Sequence, residues 1–260
     1  MTNPRDIMNR LENTFAQQKE LINIFVTAGY PNINSLPTLV DKLIASGIDV
    51  IEVGMPYSDP LADGPIIQKA SAIALKNGIT ISTIFEQIAQ IRKKHYKTPM
   101  LIMGYFNQML QVGVEDFLMK CNSAGVDALI IPDLPLEVYV KEYQSLFEKY
   151  SIKISFLITP QTTTERIKKL DEACSAFLYI VSDNSLTGAK TEGFSEQQIV
   201  YFNRLKNINL TSPTMIGFGI SNKKMVLEAN LYANGAIIGS AYLEAIRKGN
   251  HTEFIEKLTS

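Results

Sequence analysis

Short apolar runs alternate with longer stretches of helical spacing along the whole chain. The runs occupy 21–27, 49–54, 100–105, 128–132, 153–159, 177–182, 214–219 and 235–240. They are rich in Ile, Val, Leu and Phe and carry few charges, the pattern of strands buried on both faces. Between them, apolar residues recur at offsets of three and four: Leu36, Leu39, Val40, Leu43 and Ile44; Ile84, Ile88 and Ile91; Phe117, Leu118 and Cys121; Ile167 and Leu170. Strands separated by helices imply right-handed crossovers and a parallel sheet. Eight such units predict an α/β protein, one (β/α)8 TIM barrel domain over 1–260, in preference to an open doubly wound sheet. The open sheet more often carries a Gly-rich fingerprint after its first strand, and Thr27-Ala-Gly-Tyr-Pro31 does not match one. An extra N-terminal helix is expected from Pro4 to about Gln18. Its apolar side (Ile7, Leu11, Phe15) would cap the bottom of the barrel.

Composition narrows the function classes. Of 260 residues, Lys plus Arg number 25 and Asp plus Glu 26, so the formal charge is −1. A near-neutral chain does not suggest a broad nucleic-acid or acidic-lipid surface, which needs clustered cations. Two cysteines, Cys121 and Cys174, make no disulfide framework, and two histidines offer little to a metal. Both cysteines fall in expected helices and read as small buried groups. No basic stretch followed by an apolar run opens the chain, and no apolar run is long enough to span a bilayer. The expected location is the cytoplasm or an organelle matrix.

In a TIM barrel the chemistry sits where the strands end. The second run closes Ile51-Glu52-Val53-Gly54, and Glu52 interrupts an otherwise apolar segment. A carboxylate buried there is costly without a partner or a task, and burial raises its pKa toward the range useful for proton transfer. The alternative is a structural carboxylate satisfied by a neighbouring strand. The loop that follows, Met55 to Pro65, holds three prolines with Asp59 and Asp63. Prolines stiffen it, so it can hold a second carboxylate opposite the first. Asp63 also reads as an N-cap for a helix near Pro65, and Asp59 as an Asx-turn. Runs seven and eight close with Gly217-Phe-Gly219-Ile-Ser221 and Gly239-Ser240. Glycines in these two loops, followed by a helix start at Ser240, suit a backbone phosphate site. They suit tight βα turns equally. The polar segment 182–194, with Gly188, is long enough for a lid over the catalytic face or a plain surface loop.

The segment Ile51-Glu-Val-Gly-Met-Pro-Tyr-Ser-Asp-Pro-Leu-Ala-Asp-Gly-Pro-Ile-Ile-Gln68 closely resembles the signature of the tryptophan synthase α subunit family. Phe25-Val-Thr-Ala-Gly-Tyr-Pro31, Gly104-Tyr105 with Asn107, Leu186-Thr-Gly188, Gly217-Phe-Gly-Ile-Ser221 and Gly239-Ser-Ala241 match it in order, so the resemblance spans the chain. It implies a (β/α)8 barrel that splits indole-3-glycerol phosphate into indole and glyceraldehyde 3-phosphate by a retro-aldol step. No cofactor is then expected in this chain. The partner would be a separate β subunit carrying pyridoxal phosphate, in an α2β2 tetramer. The resemblance makes Glu52 the general acid/base and Asp63 the acceptor of the indole N–H. It places Phe25, Tyr105, Tyr179 and Thr187 around the substrate. Gly188, Gly217, Gly219, Gly239 and Ser240 would hold the phosphate, and Pro56 and Asp59 would lie in the loop facing the partner. One departure stands out. The lid usually reads S-R-x-G-V-T-G, and here Asp183 and Ser185 replace its arginine and glycine. The charge reversal bears on lid closure and communication with the partner more than on the chemistry.

Overall fold

Eight parallel strands close on themselves in the order β1 to β8, each bonded to its sequence neighbours, with β1 pairing β8. The computed structural model describes residues 10–17, 20–60, 62–182 and 193–260. The strands are β1 (Leu21–Thr27), β2 (Val50–Gly54), β3 (Met100–Met103), β4 (Ala128–Ile130), β5 (Lys153–Ile158), β6 (Leu178–Val181), β7 (Thr214–Gly217) and β8 (Gly235–Ile238). The apolar runs therefore locate every strand, and the closed sheet settles the barrel against the open alternative. Most runs overshoot at their C-terminal ends; after β3, β4 and β6 the residues just past the strand (104–105, 131 and 182) stay buried while leaving the hydrogen-bond ladder.

The helices outside the ring bury the predicted stripes. Helix Ser35–Ala45 turns in Leu36, Leu39, Val40 and Leu43, and helix Ile81–Lys94 turns in Ile84, Phe85, Ile88 and Ile91. Cys121 is buried in helix Val114–Ala124, whereas Cys174 is half-buried and ends helix Thr164–Ala173 without lying in it. Among the described residues, no helix is long and apolar enough to cross a membrane.

Strand register orders the barrel interior. Phe25 on β1 stands beside Glu52 on β2, Glu52 beside Leu101 on β3, Leu101 beside Ala128 on β4, and Ala128 beside Lys153 on β5. Because barrel strands tilt, this row descends as it runs round the ring. It begins among the residues of the catalytic end and finishes at Lys153, which pairs with Glu12 on the N-terminal helix below.

That helix, Arg10–Gln17, plugs the bottom as expected, within the part of the predicted span that lies among the described residues. Leu11 is buried and the ring of Phe15 lies 5.9 Å from that of Phe177. Arg10 Nε donates to Asp127 Oδ1 at 2.7 Å, while Arg92 Nη2 donates to Asp127 Oδ2 at 3.0 Å and the Met100 N–H to the same oxygen at 2.8 Å. Both guanidiniums also donate to the Gly125 carbonyl. Asp127, just ahead of β4, is a buried carboxylate with a full complement of donors.

Candidate active site

Glu52 sits inside the barrel on β2, 1 % exposed. The side-chain amide of Asn23, on β1, donates to its Oε2 at 2.9 Å. Burial pushes the Glu52 carboxyl up to about 8; the Asn23 donor opposes the shift, and the negative charge of Asp63 adds to it. Burial here is what the interrupted apolar run implied, and among the described residues no cation offsets it.

Asp63 lies in the loop after β2 and is also buried. The helix that follows, Pro65–Lys76, has Gly64 at its N-cap and no side-chain cap bond, so Asp63 is not a capping residue. Its Oδ2 instead accepts from the Tyr105 hydroxyl at 3.1 Å. Burial raises the Asp63 carboxyl to about 6, and the Tyr105 bond limits the rise. The same hydroxyl accepts from the Ala62 N–H at 3.0 Å, which ties the loop to the end of β3.

Tyr105 is itself held from both sides. Its N–H donates to Gln108 Oε1 at 3.0 Å, and Gln108 Nε2 donates to the carbonyl of Pro56 at 3.0 Å. The Tyr57 ring stacks on the Tyr105 ring at 5.1 Å. Gly104 admits this arrangement, since a Cβ there would lie 2.2 Å from Met55 Cε. Pro56 is thus a buried anchor of the loop, while Asp59 points to solvent at its tip.

Tyr179 on β6 is buried, and its hydroxyl is pushed well up by burial and by the charges of Glu52 and Asp63. It faces the same interior as both carboxylates. A Cβ on Gly217, at the end of β7, would lie 2.2 Å from the Tyr179 hydroxyl. The immediate reason for glycine at 217 is therefore the tyrosine ring, which needs the space. Phe25 uses Gly54 in the same way: a Cβ there would lie 2.3 Å from its ring.

Gly219 has φ +78°, follows Phe218 at φ +67°, and is exposed with open space where a side chain would stand. Ser182 Oγ donates to the Phe218 carbonyl at 2.6 Å, fastening this turn to the end of β6. Gly239 precedes helix Ser240–Lys248, whose first turn has no side-chain cap. Gly239 also lies against Phe25, with 3.4 Å between its would-be Cβ and the Phe25 Cβ.

The structure thus brings Phe25, Glu52, Asp63, Tyr105, Tyr179, Gly217 and Gly239 to the C-terminal mouth of one barrel. Gly219 and Ser240 lie on its rim. Thr187 and Gly188, with the lid departures Asp183 and Ser185, lie outside the described residues. Sequence reasoning missed Asn23, Tyr57 and Gln108. Asn23 carried a signal, as the one amide in the run 21–27, but its partner depends on register.

A family model described as tryptophan synthase alpha chain matches residues 11–259. The tryptophan synthase alpha chain of Flavobacterium johnsoniae is 47 % identical over 254 residues, covering 96 % of this chain and 100 % of that one. That of Christiangramia forsetii is 48 % identical over 254 residues, covering 96 % and 98 %. Among solved structures, the tryptophan synthase A-subunit from Pyrococcus furiosus superposes with a TM-score of 0.84 at 32 % identity, over 93 % of this chain and 98 % of that one. A tryptophan synthase chain from M. tuberculosis gives 0.84 at 26 % identity, over 96 % and 98 %. Matched from the bottom plug to the last helix, the chain belongs to the tryptophan synthase alpha chain family.

Proposed function

We propose that this chain cleaves indole-3-glycerol phosphate to indole and glyceraldehyde 3-phosphate, with Glu52 as the acid/base and Asp63 as the counter-charge to the ring. The observation that carries the reading is the pair of buried carboxylates whose surroundings separate them, Glu52 near 8 and Asp63 near 6. Between those values one is an acid and the other an anion, the division of labour the reaction needs. Indole leaves badly as an anion, so the ring carbon must gain a proton as the C–C bond breaks. Protonated Glu52 supplies it, and the resulting cation carries its charge at the ring N–H, which Asp63 accepts. The electrons of the breaking C–C bond then return to the ring. The adjacent hydroxyl becomes a carbonyl, and its proton goes to Glu52, which is restored to the acid.

Phe25, Tyr105 and Tyr179 lie around the indole in this reading, and the family resemblance makes Thr187, outside the described residues, the lid threonine that meets Asp63. The phosphate falls to Gly188, Gly217, Gly219, Gly239 and Ser240. Support comes from the uncapped first turn at Ser240, whose N–H groups and dipole suit an anion. Family membership implies a β subunit as partner. We assign α2β2 stoichiometry, pyridoxal phosphate to the partner, cytoplasmic location, and the loop tip at Asp59 to the partner-facing side, with Pro56 as its anchor.

The test is indole release from indole-3-glycerol phosphate by the purified chain, with and without a β subunit. Glu52→Gln is expected to lower kcat by about 10²–10⁴-fold with the fold retained. Near-parental turnover in that variant would remove Glu52 from the chemistry. The parental kcat is expected to fall on the acid side as Asp63 protonates near 6, and on the alkaline side as Glu52 ionises near 8.

A further inference from the structure

We propose that Asn23 is a positioning residue for the acid/base: its side-chain amide holds one oxygen of Glu52 and so directs the transferable proton to the other. The proposal rests on the reading of Glu52 given above.

Asn23 is a poor choice for its place on packing grounds alone. It lies in the middle of β1 between Ile22 and Ile24, fully buried, in a strand that otherwise holds Leu, Ile, Phe, Val and Thr. Asn is disfavoured in strands, and a buried amide costs free energy unless its groups are paired. Only half of this one is. Nδ2 donates to Glu52 Oε2 at 2.9 Å, while Oδ1 is buried without a partner among the described residues. Leucine would fill similar space with no polar penalty. What the amide adds is a donor aimed at a carboxylate that must keep one orientation while it gains and loses a proton.

The geometry assigns the two oxygens of Glu52 different tasks. Oε2 is occupied as an acceptor, so the acid form carries its hydrogen on Oε1. A neutral donor suits this role better than a cation. An arginine in its place would pull Glu52 toward the ionised form with a full charge, as the two guanidiniums do against burial for Asp127 at the barrel floor. An amide favours the carboxylate only modestly and leaves the acid form accessible. The other ionisable groups that bear on Glu52 are Asp63, from the loop after β2, and Tyr179, from β6. The residues beside it on β1 and β3 are Phe25 and Leu101, which do not titrate.

The test follows kcat against pH for Asn23→Leu and Asn23→Ser, with Glu52→Gln as the reference. Serine is too short to reach Oε2 and introduces no bulk, so it covers the case in which leucine fails to fold. Losing the donor is expected to move the alkaline limb of kcat about one pH unit upward. At neutral pH kcat should fall about 10- to 100-fold, with KM within about twofold. A side chain that only fills space would change yield or stability and leave the limb where it was. An unmoved limb in the folded variants, with Glu52→Gln inactive, overturns the role of Asn23 and leaves Glu52 in place. Substantial turnover by Glu52→Gln overturns the acid/base reading itself.

Discussion

The two ends of the barrel each bury acid, and they treat it in opposite ways. At the floor, Asp127 receives two guanidiniums and a backbone N–H. At the mouth, Glu52 receives one neutral amide and Asp63 one phenol. The floor carboxylate is surrounded so that its charge is tolerated, and it closes the barrel by tying the N-terminal helix to β4. Burial raises Asp127 too, but two guanidiniums and the Met100 N–H oppose the rise. The mouth carboxylates have only neutral donors against burial, which leaves Glu52 near 8 and Asp63 near 6, within reach of neutrality. Stability and reactivity therefore come from the same residue type, separated by the donors each one is given.

The largest expected effect lies at the floor. Asp127→Ala strands Arg10, Arg92 and the Met100 N–H in a buried site and should cost about 3–5 kcal/mol, read from denaturant midpoints. Activity per folded molecule should persist. A loss below about 1 kcal/mol would mean that water satisfies the cluster and would dissolve the contrast.

At the mouth the sign reverses. The folded-state value of Glu52 is raised from 4.5 to about 8. The burial penalty is therefore absent below about pH 4.5, grows as pH rises, and is complete above about 8. Glu52→Gln should stabilise the fold by about 2–4 kcal/mol at pH 8 and by less than about 1 kcal/mol at pH 5. Equal effects at both pH values would show that the carboxyl titrates normally in the folded chain.

The smallest effect concerns the phenol on Asp63. Tyr105→Phe removes a donor that favours the carboxylate, so the acid limb of kcat should move upward by less than about one pH unit. Turnover near pH 6 should drop about three- to fivefold, with little change at pH 7.5. An unchanged acid limb would detach the phenol from the titration of Asp63.

Much of this was legible along the chain, for stated reasons. Run 21–27 coincides with β1 because Thr27 and its neighbours keep the ladder to the last residue. Glu52 was visible as one charge in an apolar strand, a signal that needs no partner to be read. The Asp63 environment was not, because a carboxylate before Gly-Pro looks like a cap until the Tyr105 hydroxyl is placed beside it. The floor cluster joins residues 10, 92 and 127, whose spacing means nothing before the ring closes. The requirement at Gly217 likewise belongs to a ring on the neighbouring strand.

That last contact has a practical side. The Tyr179 ring feels the charges of both carboxylates and at the same time occupies the space a side chain at 217 would need. Anyone reshaping this cavity for a bulkier heterocycle by trimming the tyrosine will also free the glycine turn behind it; under the proposed function, selectivity for the aromatic head and grip on the charged tail must then be redesigned together.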